Sequence, residues 1–110
     1  MTAEEFVVVL VTAASAEDAA RIGRVLVEER LAACANVVGP ITSIYRWQGA
    51  VEEASEHLML VKARATDFER VAARVRELHT YDVPEIIALP IRGGSPAYLA
   101  WLAESTGRES

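Results

Sequence analysis

The order of elements along this chain predicts an α+β sandwich of the ferredoxin-like, split βαβ kind (βαββαβ), four strands with two helices on one face and an extra C-terminal helix. Three observations predict it. Phe6 to Thr12 is a β-branched run without polar interruption, the mark of a central strand. Two stretches repeat apolar residues at helical spacing. Ile41 to Lys62 alternates with period two on either side of a Gln48-Gly49 reversal, the pattern of a long hairpin.

The elements follow in order. After the first strand, Ser15 with Asp18 three residues on makes a capping box, and the helix it opens carries Ala19, Ile22, Val25, Leu26 and Ala33 on one stripe, ending near Cys34. A strand begins at Ala35, and Gly39-Pro40 predicts a bulge in it, because proline lacks a ladder donor. The hairpin follows. Thr66 and Glu69 read as a second capping box, and Phe68, Val71, Ala72, Val75 and Leu78 form the stripe of the second helix. Ile86 to Ile91 reads as another buried strand. Ser95-Pro96 then starts the last helix, with proline at its first position.

Composition bounds the rest. At 110 residues, 52% hydrophobic and 25% charged, residues 1–110 make one domain able to bury a core without disulfide or metal support. The formal net charge of −5 repels phosphate backbones and argues against nucleic acid as a partner. The early apolar run opens with two glutamates instead of a basic region and is too short to span a bilayer. Cys34 is the one cysteine, so an internal disulfide is excluded, and a reduced, cytoplasmic location is expected.

Three clusters carry the candidate chemistry. His79 to Glu85 places an imidazole, a phenol and two carboxylates within seven residues, suited to a metal or small polar ligand, although a helix-capping His79 and a turn-forming Asp82 explain the same pattern. On the returning arm, Glu52 and Glu56 share one face while Glu53 and His57 share the other, a divalent-cation pattern or a solvated strand. Cys34 reads as a small buried hydrophobe; a nucleophilic role needs His79 and Asp82 beside it. Tyr45, Trp47, Tyr98 and Trp101 exceed what one small core uses, and point to contact between subunits.

Four motifs extend the picture: Glu29 to Asn36 (ERLAACAN), Tyr45 to Val51 (YRWQGAV) with Glu56 and Lys62 downstream, His79 to Ile86 (HTYDVPEI), and Tyr98 to Leu102 (YLAWL). On these motifs the chain resembles the CutA divalent-ion tolerance family over nearly its whole length. The resemblance implies a tight homotrimer, similar in assembly to the PII signalling proteins, a link to copper and other divalent cations, and no enzymatic activity. It also implies an inter-subunit ligand pocket built from Trp47, Glu56, Lys62 and Tyr81, with His79 and Glu85 as metal ligands for Cu²⁺ or another divalent cation. Val11 and Leu78-His79 stand where copper-binding members carry a cysteine and two histidines, so weak, unselective metal binding is expected. A PII-like sensor of a small anionic metabolite is the alternative. An acylphosphatase-type enzyme is a distant third, since Asn36 with Arg46 matches its signature poorly.

Overall fold

The computed structural model describes residues 2–107. Four strands, β1 (Phe6–Ala13), β2 (Cys34–Trp47), β3 (Ala50–Arg64) and β4 (Ile86–Pro90), alternate with α1 (Ala16–Glu28), α2 (Phe68–Leu78) and the terminal α3 (Pro96–Ser105) in the predicted order. The strands form one antiparallel sheet, β2-β3-β1-β4. The β-branched run of β1 pairs on both sides, Val9 lying opposite Val61 on β3 and Ala88 on β4.

Alternation along the strands divides the sheet into two unlike faces. On one, Val9, Val11, Met59 and Val61 meet Ile22 and Leu26 of α1 and Val71 and Val75 of α2, all fully buried. Each such side chain contributes about 1.5–3 kcal/mol by leaving water. The other face is covered only at one end, where Leu99 and Leu102 of α3 close over Phe6. Beyond that cover, Leu10, Leu58 and Leu60 are half-buried, and Val38, Ile87 and Leu89 are 47%, 49% and 50% exposed.

The hairpin turns at Gln48 and Gly49, whose φ angles of 50° and 85° are the left-handed pair that a two-residue reversal requires. The expected bulge is present: pairing with β3 slips between Val38 and Ile41. Close approach demands a glycine there, since a Cβ on Gly39 would stand 2.6 Å from the His57 ring. The arm makes the molecule long, 46 × 25 × 22 Å.

Three expectations need correction. Helix α1 starts as predicted, with Ser15 Oγ accepting from the Asp18 amide at 3.0 Å, but stops at Glu28 instead of near Cys34. Arg30 turns left-handed at φ 62° and sends its guanidinium to the Glu104 and Gly107 carbonyls, both at 2.8 Å. Ala33 consequently leaves the α1 stripe and packs with Phe6 and Leu102. The Thr66 capping box is absent; Ala65–Asp67 forms a short 3₁₀ turn, and the Asp67 carboxylate takes a bond from Arg70 at 3.0 Å. Strand β4 is an edge strand half open to solvent and not a buried one, because α3 covers only the Phe6 end of the sheet face on which Ile87 and Leu89 sit.

Gly39→Ala should destabilise the protein by about 1–3 kcal/mol, because the His57 ring or the bulge must move. Gly93→Ala, with nothing within 4 Å of the added carbon, should be near neutral. Denaturant unfolding of the two variants checks the difference.

Candidate functional site

Chain geometry brings two of the predicted clusters together. The loop between α2 and β4 lies beside the hairpin, and a cleft of about 750 Å³ opens between them. Register places Ile41 opposite Glu56, Tyr45 opposite Glu52 and Trp47 opposite Ala50, so both acids and both aromatics project from one face of the arm. The loop adds Tyr81, Asp82 and Glu85. Four carboxylates line the cleft, and among the described residues no lysine, arginine or histidine does. Glu53 and His57 belong to the opposite face, with the His57 ring against Gly39.

Glu56 is the deepest of these acids, only 8% exposed. Its Oε2 accepts from the Tyr81 hydroxyl at 2.7 Å. Burial first, then this bond and the Glu56 charge, push the Tyr81 hydroxyl up to about 12, so it stays protonated and donating at neutral pH. Tyr81 is set in turn by His79, whose ring lies 4.6 Å away, centroid to centroid. The Tyr81 amide donates to His79 Nδ1 at 3.0 Å, which leaves the ring proton on Nε2; that nitrogen donates to the Thr12 carbonyl at 2.7 Å. Thr12 is the member of this group that sequence reasoning missed. It acts through its backbone, and a backbone carbonyl has no side-chain signature.

The expected role of His79 as a metal ligand is therefore not what this geometry provides. Both ring nitrogens are bonded to backbone groups, and neither offers a lone pair to an ion. His79 positions the loop instead. Glu85 does line the cleft, but no group of three His, Cys, Asp or Glu converges as a ready cage among the described residues. A divalent ion entering here would meet oxygen donors, four carboxylates with the hydroxyls of Ser43, Tyr45 and Tyr81 among them, all hard ligands.

Lys62 and Cys34 occupy a different part of the same sheet face. Within the subunit Lys62 lies six residues from Glu56 along β3, about 20 Å at strand rise. Its ammonium bonds Asn36 Oδ1 and lies 3.9 Å from the Cys34 thiol. Tyr98 stands beside that thiol, its hydroxyl raised mainly by burial and then by Cys34, and its ring is 5.5 Å from that of Trp101. Cys34 pairs with Lys62, whereas the strand position held by His79 is opposite Leu58, four residues or about 13 Å away. The nucleophilic grouping of Cys34 with His79 does not form.

A four-stranded ferredoxin-like sheet, an overlong hairpin and an acidic, aromatic cleft along it define the class: an α+β protein with one sheet face left open and a ligand-sized hollow beside it. Comparison with known proteins makes the class specific. The model of the CutA1 divalent ion tolerance protein family matches residues 7–105, and the chain belongs to that family. It is 56% identical over 100 residues to the divalent-cation tolerance protein CutA of Thermus thermophilus, covering 91% of this chain and 97% of that one. A solved structure of the Thermus thermophilus protein superposes with a TM-score of 0.90 over 93% of this chain and 99% of its own. The periplasmic divalent cation tolerance protein CutA of Archaeoglobus fulgidus, 40% identical, gives 0.88 over 91% and 97%. The chloroplastic CutA of Arabidopsis thaliana, 46% identical, is a longer protein of which this chain spans 55%.

Tyr81→Phe should cost about 1–3 kcal/mol, because it leaves the buried Glu56 carboxylate without its donor. A tyrosine whose value is raised in the folded state adds stability that is complete below pH 10 and is lost as pH climbs toward 12. Stability curves of the parent should fall through that window, and those of Tyr81→Phe should fall less.

Proposed function

We propose that the protein is a non-catalytic, cytoplasmic homotrimer serving divalent-cation tolerance, which binds Cu²⁺ or another divalent cation weakly at a cleft between subunits. The uncovered sheet face carries this reading. A contiguous apolar strip from Val38 through Leu58 and Leu10 to Ile87 stands uncovered, and the outer edges of both edge strands, β2 and β4, have no strand beside them among the described residues. Identical copies related by a closed rotation would cover both. Tyr45 and Trp47, 40% and 46% exposed, stand near the end of the arm where a neighbour would meet it. No helix among the described residues is long and apolar enough to cross a membrane.

Carboxylates without a basic neighbour support a cation as the occupant of the cleft. They weigh against the second reading, a PII-like sensor of an anionic metabolite, for which Lys62 would have to arrive from a neighbouring subunit. The non-catalytic reading is supported by the separation of the Cys34 thiol from any imidazole base.

Ile87→Asp should convert the assembly to smaller species without unfolding the subunit, because that side chain is 49% exposed in the isolated fold. Trp47→Ala should weaken assembly less. Sedimentation of a lone 12.0 kDa particle for the parent protein at micromolar concentration would reject the trimer. In a Cu²⁺ titration by calorimetry, Glu56→Gln should weaken binding by several-fold or more, whereas His79→Ala should not remove it. Complete loss in His79→Ala with the fold intact would restore the imidazole as a ligand.

A further inference from the structure

We propose that the hairpin cleft also takes an organic cation, a linear alkylamine or polyamine, seated against aromatic rings with an ammonium group on Glu56. The inference shares the cleft with the divalent-ion reading but does not rest on it. Its first support is the state of Glu56. This carboxylate is more than nine-tenths buried, makes no ion pair among the described residues, and has one oxygen on the neutral Tyr81 hydroxyl while the other accepts no bond from the described residues. Acids buried to this degree are seldom left without a counter-charge, because desolvation penalises the lone ion. The cleft itself is where a positive group can reach it.

The walls decide which kind of positive group fits. Tyr81 bonds the acid through its hydroxyl, and Tyr45 and Trp47 line the same cleft farther out along the arm, opposite Glu52 and Ala50, where aromatic rings attract an alkylammonium through the negative π face. Val83 and Pro84 add apolar surface suited to methylene groups. A hollow of about 750 Å³ holds a small organic molecule, far more than a dehydrated metal ion needs. Carboxylates also occur at two depths. Glu56 lies inside and Glu52 four residues farther out, about 13 Å along the strand, a spacing that favours a chain charged at both ends over a single compact ion.

The test uses the full chain carrying Trp101→Phe, so that Trp47 reports alone, titrated with spermidine and, as a neutral control of similar length, with triethylene glycol. Spermidine should give a saturable fluorescence change that weakens with added salt, and the glycol should give none. Glu56→Gln keeps an acceptor for Tyr81 and should weaken spermidine binding on the order of tenfold. Trp47→Leu, read by calorimetry, should weaken it by roughly threefold to tenfold. If Glu56→Gln does not fold, Glu52→Gln should still weaken binding measurably. Equal responses to spermidine and the glycol, or spermidine affinity unchanged in these variants, would overturn the proposal. Cu²⁺ binding without spermidine binding leaves only the divalent-ion reading standing; spermidine binding without Cu²⁺ binding leaves only this one.

Discussion

The structure depends on a mismatch of lengths. Helix α1 has 13 residues and α2 has 11, so each is about 16–20 Å long, whereas the 15 residues of β3 extend about 45 Å. Two helices of that size can cover one face of the sheet near β1 and no more. Core packing therefore ends where α1 and α2 end. The rest of the β2–β3 arm and most of the second face must find other cover, which is why a chain this apolar keeps half-exposed leucines and isoleucines on an ordered sheet.

The cleft follows from the same mismatch. An arm that outruns its core leaves a concave side along its length, and the loop after α2 lies against that side. The loop is held by backbone bonds on both His79 nitrogens, which fix Tyr81 at hydrogen-bonding distance from Glu56. A chain of short, well-defined contacts thus runs from β1 through the loop to the hairpin, and a buried carboxylate sits at its end. The Glu56 carboxylate is held at the end of that chain by the Tyr81 hydroxyl.

Local signals found most of the elements because their causes are local. Ser15 caps α1 and Ser95 caps α3 through their own hydroxyls, and Gln48-Gly49 reverses the hairpin through its own φ angles. Where the reading failed, the cause was distant in sequence. Arg30 ends α1 because carbonyls of residues 104 and 107 are waiting for its guanidinium, and no periodicity in residues 16–34 reports them. The partner of the His79 ring is equally distant, the Thr12 carbonyl 67 residues away.

By itself, then, the sequence determined the order of strands and helices, the alternation that puts Glu52 and Glu56 on one face, and the family to which the chain belongs. These depend on spacings within single elements. Only the tertiary structure decided which charged groups share a space: it gathered Glu52, Glu56, Asp82 and Glu85 around one hollow and left Lys62 with Cys34 and Asn36 elsewhere on the sheet. The reason is that pairing register and loop placement set distances between elements, and electrostatics responds to those distances and not to position along the chain.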